Sequence, residues 1–365
     1  MKVLLTGNLG YVGPVVARHL HDAHPKATLI GFDSGFFALA PGRYSDRYVD
    51  RQVFGDVRNV PPSLLDGVDA VVQLAAISND PMGNTFERVT DEINTRATVA
   101  LAQKAARAGV SHFVFASSCS VYGCAPSAAR KEGDALDPQT AYARSKVASE
   151  AALAALRSDM TITSLRFATA CGLSENLRLD LVLNDFVASA VSQGEIVVLS
   201  DGTPWRPLID VRDMARAIDW AIARNPNEGG RVLAVNVGAN ASNTQVRDLA
   251  HAVARAMPGT RVSINEAALP DRRSYQVDFS FFAALAPGHQ PVVSLAQSIA
   301  MLKDHLTTVT PILREGCYPP YVRLKVLEQL VASGRLTPDL RWRADTIQGD
   351  PTPGEARAHH ELLSS

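Results

Sequence analysis

Two side chains that could move a proton stand four residues apart in this sequence, Tyr142 and Lys146. The alanine-rich segment 141–157 around them is predicted to be helical, and side chains four apart on a helix emerge on the same face. A phenol with an ordinary pKa of about 10 is a poor base at neutral pH, but a neighbouring ammonium stabilises the phenolate. The pair could therefore take a proton from a hydroxyl group, although the same spacing is common on solvated helix faces.

A cluster of hydroxyl groups precedes this pair. The motif SSCSVYG at 117–123 directly follows an apolar run, 113–116, that is typical of a buried strand. Ligands of parallel sheets bind at the carboxyl ends of the strands. A serine hydroxyl at this position could hydrogen-bond the reacting oxygen of a substrate, which favours a site over a solvated face.

A glycine-rich turn, TGNLGYVG at 6–13, follows the first predicted strand and opens the first helix. Gly7, Gly10 and Gly13 allow a tight turn and let backbone N–H groups approach a pyrophosphate at the positive end of that helix. Asp33 ends the second predicted strand, twenty residues after Gly13, which is the spacing at which a carboxylate meets ribose hydroxyls. Because this carboxylate would repel a 2′-phosphate, the sequence predicts NAD as the cofactor rather than NADP.

Further positions fit the same ligand less specifically. Asp56 and Val57 could meet adenine, and the small residues at the end of the next strand would let a ribose come close, although an ordinary strand end would also explain them. The additional residues that we expect at the cofactor are Tyr11, Val12, Asp56, Val57, Leu74, Ala75, Ala76 and Ser117.

Short apolar runs alternate with helical stretches through the first half of the chain, which predicts an α/β fold. Right-handed crossovers would make it a doubly wound parallel Rossmann sheet with a smaller, discontinuous substrate-binding lobe. We expect strands at 3–5, 28–32, 70–74, 113–116 and 161–167, and one helix over 85–108. The predicted division is a cofactor domain at 1–167 with 205–240 returning to it, a lobe at 168–204 and 241–320, and a C-terminal helix and tail at 321–365.

Composition excludes several classes of protein. The formal net charge is -1 without a block of like charge, which disfavours nucleic acid and anionic lipid as partners. The four cysteines form no C-x-x-C pair, and no run of about 18 apolar residues is present, so we expect a cytoplasmic protein without a membrane span. His19, His21 and His24 share no helix face with an acidic ligand, so they predict a solvated helix end and no metal site.

Together these motifs resemble those of the extended short-chain dehydrogenase/reductases of the nucleotide-sugar epimerase/dehydratase family, over about residues 1–305. The matching elements are TGNLGYVG from Thr6, Asp33, GDVRN from Gly55, LAAIS from Leu74, Asn94, SSCSVYG from Ser117, YARSK from Tyr142 and WRPLIDVRD from Trp205. The resemblance implies an NAD-dependent enzyme that acts on a nucleoside-diphosphate sugar. It also implies a homodimer formed through the helices near 85–108 and 141–157.

The resemblance assigns roles to individual residues. Ser118, Tyr142 and Lys146 match the family's catalytic triad, with Lys146 also holding the nicotinamide ribose, and Asn94 matches the asparagine that orients the active-site helix. The resemblance also implies that Asn94, Tyr142 and Lys146 lie at the cofactor. Around the substrate, Ser118, Cys119, Ser120 and Thr169 would line the sugar pocket, Asn184 and Arg206 would meet the diphosphate, and Arg273, or Arg272 beside it, would supply a second clamp.

The positions after the catalytic serine bear on the reaction. The family's 4,6-dehydratases carry an Asp-Glu pair there, whereas this chain has Cys119 and Ser120, which disfavours dehydration. Members that epimerise carbons 3 and 5 carry an acid/base cysteine one place later than Cys119, and we expect Cys119 to be a buried packing residue.

The reaction that needs the fewest further groups is epimerisation by transient oxidation of a sugar hydroxyl, with carbon 4 the expected position. The alternatives are a nucleotide-sugar dehydrogenase or ketoreductase, a 3,5-epimerase that uses Cys119, and a non-enzymatic NAD(H)-binding sensor or scaffold. The sugar and its base cannot be read from the motifs.

Overall fold

The computed structural model describes residues 1–38, 47–268, 274–314 and 319–343. Its strands, numbered along the chain, are β1 (Lys2–Thr6), β2 (Thr28–Asp33), β3 (Arg51–Phe54), β4 (Ala70–Gln73), β5 (His112–Ser118), β6 (Ala125–Arg130), β7 (Thr161–Phe167), β8 (Thr169–Cys171), β9 (Glu195–Val198), β10 (Trp205–Asp210), β11 (Val232–Val237), β12 (Asn243–Gln245), β13 (Arg261–Ile264) and β14 (Tyr275–Val277).

The helices alternate with these strands through the first half of the chain. They are α1 (Gly13–Ala23), α2 (Asp80–Thr85), α3 (Glu87–Thr90), a π-helical turn (Asp91–Arg96), α4 (Ala97–Arg107), α5 (Ala141–Ala154), α6 (Val182–Gln193), α7 (Val211–Ile222), α8 (Val246–Ala256), α9 (Ser280–Leu285), α10 (Leu295–Arg314) and α11 (Arg323–Ala332). Short 3₁₀ turns lie at Val57–Asn59, Pro62–Leu65, Cys119–Tyr122, Asn240–Ser242, Pro287–His289 and Pro319–Tyr321.

A seven-stranded parallel sheet forms the centre, in the order β11-β7-β5-β4-β1-β2-β3. Successive side chains of a strand point to opposite faces, so Val3 and Leu5 enter one hydrophobic core and Leu4 enters another. The chain leaves β1 in one direction towards β2 and in the other towards β4. The predicted doubly wound sheet is confirmed, and this reversal of strand order is where such folds bind ligands.

The predicted helix over 85–108 is confirmed to within two residues by the helical run 87–107, whose middle is the π turn. The separate helix α2 precedes this run and is capped by Asn79, whose Oδ1 accepts from the N–H of Met82 at 2.9 Å, with Pro81 in the first turn. The helical path is then interrupted at Phe86, and it widens into the π turn before α4. Such turns often occur at functional sites, and this one contains Asn94.

The remaining strands form three small sheets beside the carboxyl edge of the central sheet, β12-β10-β8, β13-β9 and β14-β6. Within the segment 205–240, β10 pairs with β8 and β12, so the return to the central sheet begins only with α7 and β11. The irregular segment that follows β8 is tethered to the body: Ser174 Oγ donates to the carbonyl of Tyr11 at 2.6 Å. The division of the chain into two domains stays a prediction.

The C-terminal segment, residues 319–343, docks on the body near the end of β2. Leu327, Leu336 and Leu340 are fully buried in a separate core cluster with Phe36 and other residues of that edge. The indole Nε1 of Trp342 donates to the carbonyl of Ser34 at 2.6 Å. The predicted tail at 349–365 lies outside the described residues.

Two of the clustered histidines have an acidic partner, contrary to the sequence-based expectation. His19 and His24 place their Nε2 atoms 3.0 Å and 2.6 Å from the carboxylate of Asp219. Asp219 belongs to α7, which packs on α1, so the spacing within α1 could not reveal it.

Among the helices of the described ranges, none combines the length and apolar character that a membrane crossing needs.

Candidate active site

A cavity of about 830 Å³ opens at the carboxyl ends of the parallel strands, where the strand order reverses. This volume lies in the upper part of the range typical of small-molecule sites. Its walls come from the glycine turn, the ends of β2, β4 and β5, the start of α5, the segment after β7, α6 and the C-terminal segment. The cavity therefore joins the predicted cofactor and substrate regions in one space.

The glycine turn forms one end of the cavity, and the fold itself requires two of its glycines. Gly7 has a positive φ of 72°, and a Cβ there would lie 2.5 Å from the backbone nitrogen of Ala75. A Cβ on Gly13 would lie 2.3 Å from the carbonyl oxygen of Asn8. These close approaches bring the turn against β4 and leave its N–H groups at the start of α1.

Asp33 is held at the cavity wall by two backbone donors. Its Oδ2 accepts from the N–H of Leu9 at 3.0 Å and its Oδ1 from the N–H of Gly35 at 2.8 Å. Burial raises the pKa of this carboxyl, and the backbone hydrogen bonds oppose that rise. Apart from Asn94, all the residues predicted at the cofactor line the cavity: Gly7, Gly10, Tyr11, Val12, Gly13, Asp33, Asp56, Val57, Leu74, Ala75, Ala76, Ser117, Tyr142 and Lys146.

Asn94 is buried behind the cavity. Its Oδ1 accepts from the N–H of Ile77 at 2.8 Å, and its Nδ2 donates to the carbonyl of Ile77 and to Ser145 Oγ, each at 3.0 Å. The amide thus ties the segment after β4 to α5. This geometry supports the orienting role that the resemblance implies, and direct contact with a cofactor is not supported.

Ser118, Tyr142 and Lys146 meet on one wall of the cavity. The Nζ of Lys146 lies 5.5 Å from the ring centroid of Tyr142 and donates to the carbonyl of Ala116 at 2.7 Å. The Ser118 side chain lies close enough to the phenol of Tyr142 to lower its pKa. Because Thr140 caps the start of α5, accepting from the N–H of Ala143 at 3.1 Å, the first turn that carries Tyr142 is fixed against β5.

The electrostatics of the pair differ from those of two exposed side chains. Burial raises the pKa of Tyr142 to about 12, with a smaller rise from Asp80 and a lowering by the Ser118 hydrogen bond. Burial also lowers the pKa of Lys146 to about 7, which Glu150 partly opposes. The protein alone therefore keeps the phenol protonated, and a bound cationic group beside the ring would be needed to bring its pKa towards neutrality.

Three of the predicted substrate residues besides Ser118 line the other end of the cavity, Ser120, Thr169 and Arg206. The Nη1 of Arg206 donates to the carbonyl of Trp205 at 2.8 Å. Arg273 and Arg272 lie outside the described residues.

Cys119 does not face the cavity, which corrects its assignment to the substrate pocket. Its side chain is 1% exposed, and its Sγ donates to the carbonyl of Arg166 at 3.0 Å on the neighbouring strand β7. Burial raises the pKa of this thiol well above its usual range. The expectation of a packing residue agrees with this position, since neighbouring side chains at a strand end alternate between faces.

Asn184 is also turned away from the cavity, so a contact with a substrate diphosphate is not supported. Its exposure is 0%; its Oδ1 accepts from the N–H of Gly172 at 3.0 Å, and its Nδ2 donates to Tyr11 Oη and to the carbonyl of Arg178. A step of one residue rotates a side chain by about 100° around a helix, and the next residue, Asp185, does line the cavity.

Several lining residues were not predicted: Asp80, Arg178, Asp180 and Tyr275. Arg178 pairs with Asp180 at 2.8 Å and donates to Ser78 Oγ at 2.8 Å. Each of them lies in or next to a segment that the sequence analysis singled out. Asp80 closely follows the LAAIS motif, and Tyr275 lies in PDRRSYQVD. Arg178 and Asp180 lie in the long irregular segment after β8. None of these segments indicates which side chain faces the cavity.

A buried ion pair joins α5, the helix that carries Tyr142 and Lys146, to β7. Arg166 on β7 contacts Glu150 on α5 at 2.7 Å and donates to Tyr122 Oη at 2.9 Å. Glu150 also accepts a short hydrogen bond from Ser117 Oγ. The side chain of Ser117 is therefore committed to this pair, although its residue contributes to the cavity wall.

A doubly wound sheet, a glycine turn with an acidic residue at the end of β2, and a Ser-Tyr-Lys triad define a dinucleotide-dependent enzyme of the short-chain dehydrogenase/reductase type. Residues 3–238, more than half of the chain, match the model of the NAD dependent epimerase/dehydratase family. The chain belongs to this family, as its motifs predict.

The relatives of this chain include both epimerases and dehydratases. A UDP-glucose 4-epimerase of Mycolicibacterium smegmatis is 28% identical over 314 residues, which is 82% of this chain and 96% of that protein. A dTDP-glucose 4,6-dehydratase of Streptomyces griseus is 27% identical over 330 residues, 87% of this chain and 98% of that protein. The structure of a UDP-glucuronic acid 4-epimerase from Bacillus cereus, in complex with UDP-glucuronic acid and NAD, superposes with a TM-score of 0.73 at 19% identity, covering 85% of this chain and 100% of that one, and shows the shared fold.

Proposed function

We propose that this protein is an NAD-dependent nucleotide-sugar epimerase that inverts a hydroxyl-bearing carbon, carbon 4 of the sugar, through a transient ketone. The observation that carries the proposal is that Ser118, Tyr142 and Lys146 meet at one cavity. The two positions after this serine, where dehydratases carry carboxyl groups, hold a buried cysteine and a serine. Oxidation and reduction at one carbon need only the triad and a cofactor.

The residues at the glycine turn fit NAD. The turn brings backbone N–H groups to the cavity at a helix start, and Asp33 holds a carboxylate where the hydroxyls of an adenosine ribose would lie. When bound, NAD would supply the acceptor and donor of the hydride, and the positive charge of its oxidised nicotinamide would favour the phenolate of Tyr142.

The chain's own residues then handle the proton. As the phenolate, Tyr142 takes the proton of the sugar hydroxyl at its phenolic oxygen and returns it when the ketone is reduced, and Ser118, beside that phenol, orients the sugar oxygen. Lys146, fixed by the carbonyl of Ala116, holds its amine beneath the phenol and stabilises the phenolate when protonated. At the other end of the cavity, the guanidinium of Arg206 suits a diphosphate because its fork bonds two oxygens together.

The similarity to known proteins does not by itself choose between epimerisation and dehydration, because relatives with both names match this chain. The local chemistry favours epimerisation. Dehydration needs a proton donor for the leaving hydroxyl and a base for the adjacent carbon, and neither Cys119 nor Ser120 supplies a carboxyl group there. A dehydrogenase or ketoreductase would use the same triad, and a non-enzymatic NAD(H) sensor would not need it.

Incubation of the purified protein with UDP-, TDP- and GDP-sugars in deuterated water tests the proposal. We expect a product with inverted configuration that carries no solvent deuterium on carbon, detected by NMR and mass spectrometry. Deuterium beside the carbonyl carbon would indicate enolisation, and net formation of NADH would indicate a dehydrogenase. Absence of turnover on the whole panel, equal to that of a Tyr142→Phe variant, would contradict an enzymatic function.

Replacing Cys119 by Ala tests the 3,5-epimerase alternative directly. Because the thiol faces the carbonyl of Arg166 and not the cavity, turnover should stay within about threefold of the wild type, with a stability loss of about 1 kcal/mol from the small void and the lost contact. Initial rates and thermal melting measure the two effects. The matched variant Ser120→Ala changes the adjacent side chain that does line the cavity, and we expect the larger kinetic effect there. A Cys119→Ala variant that folds but is inactive would restore Cys119 as an acid/base.

The cytoplasmic location, the homodimer and the contact of Arg273 with a substrate remain predictions from the sequence.

A further inference from the structure

The C-terminal segment contributes a charged side chain to the cavity. Arg323 is the first residue of α11 and is only 2% exposed, yet it lines the cavity together with Val322. The segment that carries it is fastened to the nucleotide end by the indole of Trp342 on Ser34, described above. The position of Arg323 is therefore set by a docked element and not by a surface loop.

The guanidinium of Arg323 lies beside the glycine turn. Its Nη2 donates to the carbonyl of Asn176 at 2.9 Å, and the Nδ2 of Asn176 makes a short hydrogen bond to the carbonyl of Leu9, within the turn. The guanidinium carbon lies 4.2 Å from the ring centroid of Phe37, which follows β2. One residue, Asn176, thus connects Arg323 by hydrogen bonds to the backbone of the glycine turn.

The charge of Arg323 acts on the same region. Burial raises the pKa of Asp33 and the charge of Arg323 is among the causes that oppose this rise; the pKa of Asp180 is lowered against the effect of its burial, mainly by Arg178 and in smaller part by Arg323. Asp33, Asp180 and Arg323 all line the cavity, so the guanidinium shares this space with the ribose end of the proposed nucleotide site and with the segment after β7. In a doubly wound fold, the phosphates of a dinucleotide cross this space at the glycine turn.

We propose that Arg323 binds the diphosphate of the NAD cofactor next to the glycine turn. The turn offers N–H donors at a helix start, and the guanidinium adds a fork that bonds two phosphate oxygens with full positive charge. The aromatic face of Phe37 holds the guanidinium plane in place. The C-terminal segment is thereby part of the cofactor site, an inference that rests on the proposed occupancy of this cavity by NAD.

Binding of nucleotide fragments to the nucleotide-stripped full-length protein tests this assignment. Calorimetry with adenosine, ADP, NAD and NADP is carried out on the wild type and on Arg323→Gln. Loss of a charged hydrogen bond to phosphate should weaken ADP and NAD by about 10- to 100-fold while adenosine binding stays within about twofold. The binding of ADP to the variant should also depend less on ionic strength.

The matched control is Arg335→Gln. Arg335 lies in the same C-terminal segment with its guanidinium 5.6 Å from the ring centroid of Trp342, and it does not line the cavity. We expect this variant to bind all four ligands as the wild type does. If Arg323→Gln does not fold, Arg323→Lys keeps the charge without the fork, and ADP should then weaken while adenosine does not.

The outcomes separate this inference from the proposed function. The diphosphate assignment would be overturned if the Arg323 variant bound adenosine and ADP with equal losses of affinity, if only its affinity for NADP fell, or if its affinity for ADP did not change. Binding of NAD by the wild type would leave the proposed function intact in each of these cases. A wild-type protein that binds neither ADP nor NAD would overturn both.

Discussion

Replacement of Tyr142 by Phe is expected to reduce turnover by about 100- to 10,000-fold, the range of a positioned acid/base group. The change removes only the phenolic oxygen of a side chain that lines the cavity with Ser118. Because this side chain is only half-buried and borders the cavity, the thermal stability of the unliganded protein should change little. Initial rates on the accepted nucleotide sugar and thermal melting measure the two quantities.

The same substitution at Tyr122 is the control. This tyrosine is also buried beside the active-site strand, but its hydroxyl contacts Asn236 at 2.7 Å and Arg166 at 2.9 Å, outside the cavity. We expect Tyr122→Phe to lower the free energy of unfolding by about 1–2 kcal/mol and to leave turnover within about threefold. A Tyr142→Phe variant that keeps its turnover, or two variants with equal kinetic losses, would show that the phenol of Tyr142 is not the acid/base.

Replacement of Lys146 by Met should abolish most of the turnover and yet stabilise the unliganded protein at neutral pH. The amine is buried, and burial lowers its pKa from 10.5 to about 7. Between these values the unfolded chain binds more protons at this group than the folded chain does, so wild-type stability rises as pH increases from about 7 to about 10.5. Below about pH 7 the full cost of burying the amine is present.

The variant removes that cost. The gain at pH 7 has an upper bound of roughly 4 kcal/mol from the shift in pKa, reduced by about 1 kcal/mol for the lost hydrogen bond to the carbonyl of Ala116. Urea denaturation at pH 7 and at pH 10 should show a stabilising effect that shrinks as pH rises. Lys104→Met is the control. Lys104 lies on α4, and its half-buried amine also donates to a backbone carbonyl, that of Val60, at 2.8 Å. A Lys146→Met variant that is destabilised equally at both pH values would contradict the assigned burial cost.

The two side chains on which the proposed reaction depends have different effects on the stability of the unliganded protein. The depressed pKa of the buried Lys146 amine is unfavourable for stability at neutral pH, whereas the raised pKa of Tyr142 lowers stability only above about pH 10, where the unfolded phenol ionises. Their retention in the cavity is consistent with a bound cofactor that changes the electrostatics of both groups. The stability of the loaded protein should accordingly exceed that of the unliganded protein by the linkage of binding to folding.

Local patterns in the sequence were sufficient for the parts of the site that are local in space. The glycine turn, the acidic end of β2 and the Tyr-Lys pair each lie within one turn or one helix face, where residue spacing determines geometry. The order of apolar runs likewise predicts the parallel sheet, because strands buried on both faces need continuous apolar sequence. For these elements the backbone period alone places the side chains.

Tertiary packing decided the rest. The directions of Cys119 and Asn184 away from the cavity depend on which neighbours each residue packs against, and a change of one residue reverses or rotates a side chain. The pKa shifts of Tyr142 and Lys146 arise from burial, which no motif expresses. Arg323 is connected through Asn176 to the glycine turn, more than three hundred residues away in sequence, because α11 docks on the nucleotide end. Contacts of this kind depend on the whole packed core, since their energy comes from surfaces that come together only when the chain is folded.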